Sequence, residues 1–324
     1  MKAVLCQKLG GPDDLVVADL PDPVPGPGEV LVRVMAAGLN FFDTLIIAGK
    51  YQIRPDFPFS PGAEFAGLVE RVGPGVSEFS SGERVMGYCG YGAARQRIAV
   101  KAAMLTKIPD ALDFDRAAGL SVTYGTTYYA LKDRGHMQAG ETLAVLGAAG
   151  GVGLAAVEIG KLMGARVIAC ASSDDKCAFA RAHGADLTVN YGRDELRDAL
   201  KQATQGRGAD VIYDPVGGPY AESALRAIAW EGRFLVIGFA AGEIPKLPLN
   251  LTLLKNCDVV GVFWGAFTQR EPQAQAKNMQ QIVRWCAEGK LSAHVHAAYP
   301  LGETTRALHD IAARRIMGKA IVNP

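Results

Sequence analysis

The sequence predicts an α/β protein that combines a doubly wound parallel sheet with a β-rich domain. Two observations predict the sheet: from Thr142 onward short apolar runs alternate with helical stretches, and a glycine-rich turn follows the first of these runs. Strands that alternate with helices form parallel sheets covered by helices on both faces. A third observation predicts the other domain, because residues 1–120 contain short apolar runs separated by Gly, Pro and Ser. That pattern is typical of a small, bent sheet or barrel.

The β-rich part begins with a strand candidate at Lys2–Leu5. The stretch Glu29–Met35 places three valines on one face with a period of two residues, which is the pattern of a half-buried strand. Shorter candidates bounded by turn residues follow at Ala66–Val72, Arg84–Met86 and Gln96–Val100.

The middle of the chain contains six strand candidates that alternate with helices. The strands are expected at residues 142–146, 166–171, 187–191, 211–214, 234–239 and 259–263, and the helices at 151–163, 176–183, 194–203, 220–229 and 249–256. The last part of the chain shows an amphipathic helix at 273–288, a strand at 294–299, a helix at 304–313 and a strand at 320–322. Six strands linked by helices predict the parallel, doubly wound sheet.

The composition excludes several classes of protein. Of the 324 residues, 34 are Lys or Arg and 33 are Asp or Glu, so the chain lacks the basic surface that nucleic-acid binding needs. The six cysteines are scattered without a CxxC pair, which argues against a zinc ribbon and predicts reduced thiols. The N-terminus has no signal-peptide core, and no apolar run reaches the ~18 residues of a membrane span. We therefore expect a soluble, cytosolic protein with no nucleic-acid partner and no membrane span.

The sharpest local motif is a glycine-rich turn at Leu146–Gly153. It follows a strand, opens a helix and has the frame Ala148-x-Gly150-x-x-Gly153. In dinucleotide-binding turns, glycines allow a tight bend and let the backbone approach the pyrophosphate, which sits on free N–H groups at the helix N-terminus. The turn therefore predicts a nicotinamide dinucleotide cofactor; the alternative is a tight turn without a ligand.

The residues after the second strand bear on which cofactor is used. NAD enzymes usually carry an acid there for the ribose 2′-hydroxyl, whereas this chain reads Ala171–Lys176, with small residues followed by two aspartates and a lysine. Ser173 and Lys176 suit a 2′-phosphate, so NADPH is favoured over NADH, although Asp174 is the kind of residue that favours NAD. In the alternative interpretation, a serine caps the next helix and both aspartates occupy its first turn.

Two motifs carry a family resemblance over nearly the whole chain. The first is Gly140-Glu141, followed by the turn at Ala148–Gly153 and by Lys161. The second is Gly62-Ala63-Glu64-Phe65-Ala66-Gly67, followed by Gly82-Glu83-Arg84-Val85. Together they resemble the zinc-independent quinone oxidoreductase branch of the medium-chain dehydrogenase/reductase superfamily.

The resemblance implies that this chain binds no catalytic zinc. The zinc alcohol dehydrogenases have His where this chain has Ala63, and a catalytic Cys where it has Asn40. Without both ligand types, the tetrahedral site that zinc requires is lost. The cysteine cluster of the structural zinc is also missing.

The resemblance further implies a layout and a set of cofactor contacts. A GroES-like catalytic domain is expected at 1–120, completed by 268–324, with a Rossmann nucleotide-binding domain at 121–267 and the active site in the cleft between them. The implied NADPH contacts are Thr126, Ala149, Gly150, Gly151, Val152, Ser173, Lys176, Tyr191, Gly238, Phe239, Phe263, Trp264, Gly265 and Arg314. Strand packing is the alternative for Tyr191, and a solvated helix charge is the alternative for Arg314.

On the substrate side, the resemblance implies polar contacts from Asn40, Asp43 and Tyr51, of which Asp43 has a helix-start cap or an internal salt bridge as its alternative. The implied reaction is hydride transfer from NADPH to a quinone. Reduction of the C=C bond of a 2-alkenal, an enone or an enoyl or acryloyl thioester of CoA is the competing activity. A non-enzymatic structural or RNA-binding role is the remote alternative. The last strand of the sheet, Val259–Phe263, leaves an open edge, which predicts a homodimer joined there.

Overall fold

The computed structural model describes residues 1–324 and divides into two compact units. The first unit comprises residues 1–122, 271–289 and 293–324, and the second comprises residues 123–270 and 290–292. The second unit is therefore inserted in the sequence of the first, so that both ends of the chain build one unit. No helix is both long enough and apolar enough to cross a membrane.

The first unit is built on a mostly antiparallel sheet of seven strands. The strands of this unit are β1 (Lys2–Leu5), β2 (Val16–Asp19), β3 (Glu29–Leu39), β4 (Glu64–Val72), β5 (Arg84–Tyr88), β6 (Arg97–Lys101), β7 (Leu105–Lys107), β14 (Val295–Pro300) and β15 (Lys319–Asn323). Its helices are α1 (Phe41–Ile47), α2 (Phe114–Ala118), α10 (Pro272–Ala287) and α11 (Thr304–Ala312). Short 3-10 turns lie at Pro12–Asp14, Ala102–Met104 and Leu301–Glu303. The sheet order is β14-β15-β3-β4-β5-β7, β6 also pairs with β3, and β1 pairs with β2.

Strand β3 is the centre of this sheet. One of its edges pairs with β4, and the other pairs with β6 along its first half and with β15 along its second half. The three valines that the sequence places on one face, Val30, Val32 and Val34, are at most 3% exposed. Gly67 on β4 faces the same strand beside a register shift, and a methyl group there would overlap the Arg33 carbonyl oxygen. A glycine is therefore needed where the two backbones approach most closely.

The second unit holds the six alternating strands. They are β8 (Thr142–Leu146), β9 (Arg166–Ala171), β10 (Leu187–Asn190), β11 (Ala209–Asp214), β12 (Ile228–Val236) and β13 (Asp258–Gly261). The helices are α3 (Leu120–Tyr128), which belongs mostly to this unit, α4 (Gly151–Leu162), α5 (Asp174–Ala182), α6 (Leu196–Ala203), α7 (Tyr220–Arg226), α8 (Asn250–Lys255) and α9 (Trp264–Arg270), with a π-helix at Tyr129–Arg134.

All pairings in this second sheet are parallel, in the order β10-β9-β8-β11-β12-β13. The predicted doubly wound sheet is thereby confirmed. The chain first moves outward from β8 to β10 and then restarts at β11 on the other side of β8. The order reverses between β8 and β11, and ligands of such sheets bind outside the carboxyl ends of the strands at this reversal.

Some element boundaries differ from the sequence-based expectation. The predicted helix at 220–229 ends at Arg226, because Ile228 already pairs with Ala209 as the start of β12. The same strand ends at Val236, since the next two N–H groups both donate to the Asp214 carbonyl oxygen at the end of β11. Hydrogen bonds to a strand that is distant in the sequence therefore set the end of the helix and the end of β12. The local sequence pattern does not encode these bonds.

The glycine-rich turn makes one stability prediction. A methyl group on Gly153 would overlap the carbonyl oxygen of Gly147, a backbone atom that cannot move aside, whereas a methyl group on Gly150 would lie 3.5 Å from the same atom. We expect Gly153→Ala to lower the free energy of unfolding by about 1–3 kcal/mol or more. The matched variant Gly150→Ala should stay within ~1 kcal/mol of the wild type. Urea unfolding of both variants measures this, and equal losses would contradict the contact.

Candidate active site

Four polar side chains are buried together in the first unit. Asn40 follows β3 and precedes α1, Asp43 lies in the first turn of α1, Glu64 begins β4 and Lys319 begins β15. Their exposed fractions are 8%, 0%, 0% and 5%. Strand β3 brings them together, because its Gly38 pairs with Glu64 on one side and with Ile321 on the other.

Three of these residues, Lys319, Glu64 and Asn40, form a closed triangle of hydrogen bonds. The Lys319 Nζ lies 2.5 Å from Glu64 Oε1 and 2.6 Å from Asn40 Oδ1. Asn40 Nδ2 completes the triangle by donating to Glu64 Oε1 at 3.0 Å. The second carboxylate oxygen of Glu64 accepts the Val122 backbone N–H at 2.8 Å. The buried charges are thus paired and hydrogen-bonded, as charges removed from water must be.

Two glycines leave the room that this triangle needs. A Cβ at Gly38 would stand 2.9 Å from Glu64 Cγ, and a Cβ at Gly119 would stand 2.9 Å from Lys319 Cγ. Both distances are shorter than carbon–carbon contact allows. A side chain at either position would therefore crowd the ion pair, and a Cβ at Gly38 would also overlap the Ala118 carbonyl oxygen.

Asp43 acts as a cap at the start of α1, one of the two alternatives to a role in substrate binding. Its Oδ2 accepts the Asn40 backbone N–H at 2.7 Å and its Oδ1 accepts the Gly62 backbone N–H at 2.9 Å. Complete burial raises the pKa of this carboxyl to about 7, although both hydrogen bonds and the charge of Lys319 oppose the rise. Asp43 thus ties the end of β3 to the segment before β4.

Two tyrosines lie around the buried carboxylates. Tyr51 is half-buried and its ring stacks on Phe42, with centroids 5.4 Å apart. Burial, followed by the charge of Asp43, raises the pKa of Tyr51. Burial also raises the pKa of Tyr88, with smaller contributions from several nearby acidic groups that include Tyr51. Both phenols therefore stay protonated at neutral pH and can donate a hydrogen bond.

In the second unit, the glycine-rich turn lies at the reversal of strand order. Gly147 has a φ of +60°, Gly150 is the N-cap of α4, and the turn occupies the carboxyl end of β8. The first N–H groups of a helix have no acceptor within it and attract anions. Ala149 is buried, while Gly150, Gly151 and Val152 are half-buried. This geometry fits a dinucleotide pyrophosphate.

Helix α3 is bonded to this turn through a residue that sequence reasoning missed. Thr127 Oγ1 donates to the Val152 carbonyl oxygen at 3.2 Å and lies 2.8 Å from the hydroxyl of Tyr213 on β11. Its neighbour Thr126, an expected nicotinamide contact, is half-buried. The Trp264 ring packs on the same helix, 2.9 Å from where a Cβ of Gly125 would lie. The sequence gives no signal for Thr127 beyond its position next to Thr126.

The expected 2′-phosphate region is at the end of β9. Ser173 caps α5, since its Oγ accepts the Lys176 backbone N–H at 3.4 Å. Asp174 is held by two partners, Asn190 Nδ2 at 2.8 Å and Arg193 Nη1 at 3.2 Å. Arg193 was also missed by sequence reasoning, and it brings a second cation to the region of Lys176.

Most of the remaining expected cofactor residues lie in the second unit, and one, Arg314, lies in the first. Tyr191 follows β10 and packs against Tyr220 with ring centroids 4.5 Å apart, the strand-packing alternative. Gly238 and Phe239 follow β12, and Phe263 and Gly265 flank the start of α9. Of these, Phe263 is 57% exposed and Phe239 is 38% exposed. Arg314 belongs to the first unit, in the exposed turn after α11.

The residues of the buried triangle do not fit a zinc ion. Ala63 offers only a methyl group, and the oxygens of Asn40 and Glu64 already receive the Lys319 ammonium. The Lys319 Nζ already lies beside both oxygens, so a divalent cation could bind them only by displacing this ammonium. No group of three or more His, Cys, Asp or Glu side chains that could hold a metal ion occurs in the chain.

The raised pKa of Asp43 predicts a pH-dependent stability. Because the folded state binds this proton more tightly than the unfolded chain, the contribution is present below pH ~4 and is lost as pH rises through about 7. The Asp43→Asn variant lacks this titration, so we compare its free energy of unfolding with that of the wild type. We expect the difference, wild type minus variant, to fall by a few kcal/mol as pH rises from ~4 to about 7. Urea unfolding at several pH values measures the difference, and a flat or rising difference would contradict the assignment.

Comparisons with known proteins give the same family over the whole chain. The zinc-binding dehydrogenase family matches residues 151–283, and the alcohol dehydrogenase GroES-like domain matches residues 26–110. The quinone oxidoreductase-like protein 2 homolog of Nematostella vectensis is 39% identical over 99% of this chain and 88% of its own length.

Two solved structures are similar along their full lengths. The quinone oxidoreductase of Pseudomonas syringae is 32% identical, with a TM-score of 0.93 over 100% of this chain and 99% of that one. The Escherichia coli quinone oxidoreductase complexed with NADPH is 28% identical, with a TM-score of 0.92 over 100% of both chains. The resemblance read from the glycine turn and from the Gly62–Gly67 motif is thus confirmed: the chain belongs to the quinone oxidoreductase branch of the medium-chain dehydrogenase/reductase superfamily.

Proposed function

We propose that this protein is an NADPH-dependent oxidoreductase that reduces quinones by hydride transfer without zinc. The observation that carries the proposal is the Lys319 ammonium, which donates to Asn40 Oδ1 at the position where the zinc alcohol dehydrogenases have a cysteine, and pairs with Glu64 next to Ala63, where they have a histidine. A quinone accepts a hydride readily and needs no Lewis acid. The relatives described above, which include a quinone oxidoreductase bound to NADPH, support the same activity.

The second unit supports NADPH as the cofactor. The N-terminus of α4 and its glycine turn suit the pyrophosphate. Asp174 accepts a hydrogen bond from Asn190 and pairs with Arg193, whose positive charge lies beside the acid and favours a 2′-phosphate. Lys176 and Ser173 remain the expected 2′-phosphate contacts, now with Arg193 close by. When bound, NADPH supplies the hydride.

The first unit would supply substrate orientation and stabilisation of charge. Negative charge grows on the carbonyl oxygen of the substrate as the hydride arrives, and fixed donors lower the barrier. The amide of Asn40 and the hydroxyl of Tyr51 are such donors. Asp43 would act indirectly, because its two hydrogen bonds fix the backbone of Asn40. The proton that completes the reaction comes from water.

A substrate panel with both cofactors tests this proposal. With purified protein we expect 1,4-naphthoquinone to oxidise NADPH with a kcat/KM at least ~10-fold above that for acryloyl-CoA or a 2-alkenal. NADH should be used at least ~10-fold less well than NADPH. Faster reduction of the alkenal or of acryloyl-CoA would replace the quinone proposal by reduction of a C=C bond. Failure to bind either nucleotide in calorimetry would favour a non-enzymatic role.

We also propose that the protein is a homodimer joined through the edge strand β13. This strand ends the second sheet, and its Val259 is 43% exposed. The preceding helix α8 exposes Leu253 and Leu254 at 80% and 66%. An unpaired, apolar edge is a surface that a second strand can extend.

Light scattering at micromolar concentration tests the dimer. We expect a mass of twice the 34.3 kDa chain. Val259→Lys should give the mass of one chain, because a buried lysine in the paired edge would be uncompensated. The matched variant Val24→Lys changes a valine that is 76% exposed in a loop and should leave the dimer intact. A monomeric wild type would refute the proposal.

A further inference from the structure

We propose that Lys319, together with Glu64, is a positioning residue that fixes the side-chain amide of Asn40 and leaves one N–H to meet the substrate carbonyl oxygen. This inference rests on the proposed function, since it assigns the site that stabilises the reacting oxygen. Neither Lys319 nor the role of Glu64 is suggested by the local sequence around Asn40. The residues are joined only through the pairing of β3 with β4 and β15.

The orientation of the Asn40 amide follows from its partners. An ammonium can only donate hydrogen bonds, so the amide atom 2.6 Å from Lys319 Nζ has to be the oxygen. A carboxylate without a proton can only accept, so the atom 3.0 Å from Glu64 Oε1 has to be the nitrogen. Rotating the amide by half a turn would set N–H against ammonium and oxygen against carboxylate. Two charged neighbours therefore select one orientation.

That orientation leaves a single donor. The Asn40 amide has two N–H groups, of which Glu64 takes one, and the second makes no hydrogen bond within the protein. The residue retains 8% exposure, whereas Asp43, Ala63 and Glu64 around it are fully buried. The cation on Oδ1 also polarises the amide, which strengthens its remaining donor.

The pair is held firmly enough to act as a support. Glu64 Oε2 is anchored by the Val122 N–H, and the Lys319 side chain is 5% exposed and holds two hydrogen bonds from its Nζ. Because the two charges cancel, the pair adds no net charge beneath the amide. The pair therefore fixes the orientation of the Asn40 amide without attracting an anionic substrate or a metal ion to the site.

A double-mutant cycle between Asn40 and Lys319 tests the inference. Asn40→Ala and Lys319→Met should each lower kcat by about 10²–10³-fold, the usual loss for one oxyanion donor. If Lys319 acts through Asn40, the double variant should be within ~3-fold of Asn40→Ala alone. The KM for the quinone and the Kd for NADPH should change far less than kcat. The inference would be overturned if the two losses in kcat multiplied in the double variant, or if Asn40→Ala left kcat unchanged.

Loss of folding is separated from loss of positioning by a second variant. Lys319→Met alone leaves the Glu64 carboxylate buried without its cation, which is destabilising. Glu64→Gln combined with Lys319→Met removes both charges and keeps an oxygen for the Val122 N–H. We expect this variant to recover most of the lost unfolding midpoint while kcat stays low. Recovery of kcat together with stability would show a structural role only and overturn the inference.

A crystal structure of the Glu64→Gln, Lys319→Met variant tests the inference without an activity measurement. We expect the Asn40 side chain to leave its wild-type rotamer, and an unchanged amide would overturn the inference. Lys277→Met, which removes an exposed lysine on α10, is the matched control and should leave the rotamer and kcat unchanged. A wild type that reduces no quinone or alkenal would refute the proposed function, while the rotamer would still decide the role of Lys319.

Discussion

The buried ion pair between Lys319 and Glu64 is the interaction on which the first unit depends. Its residues stand 255 positions apart in the sequence, yet both flank the same strand, β3. Removing two charges from water is costly unless each is closely paired and its remaining hydrogen-bonding groups are satisfied. Asn40 supplies a second acceptor for the ammonium, and the Val122 N–H supplies a donor for the carboxylate. The C-terminal strand is thus part of the site as well as of the sheet.

In the proposed reaction without zinc, the same interaction would take the place of the metal that activates the substrate in zinc-binding dehydrogenases of this fold. A metal activates a carbonyl by direct coordination. In our proposal, Lys319 and Glu64 orient the Asn40 amide, and this amide donates a hydrogen bond to the substrate oxygen. A hydrogen bond stabilises an oxyanion less than a metal does, which suits a substrate that is already a good hydride acceptor. The buried Asp43 adds rigidity, because it caps α1 and ties down Gly62.

Glycine allows close packing in both units. In the second unit, Gly153 lets α4 pack onto the end of β8, and Gly147 adopts a left-handed backbone. In the first unit, Gly38 and Gly119 leave space for the side chains of the ion pair. Close approach of one backbone to another thus requires glycine in both units, as at Gly153 and at Gly67, and in the first unit glycine also leaves room for the buried ion pair.

The sequence by itself determined the alternation of strands and helices, the glycine turn, the valine face of β3 and the family. These features are local, because periodicity and backbone sterics act over a few residues. Only the tertiary structure decided that Lys319 meets Asn40 and Glu64, that Arg193 engages Asp174 and that Thr127 bonds to the turn. It also decided that Ile228 begins a strand. Each depends on hydrogen bonds between segments far apart in the chain, and these form only once strand pairing has fixed which residues are neighbours.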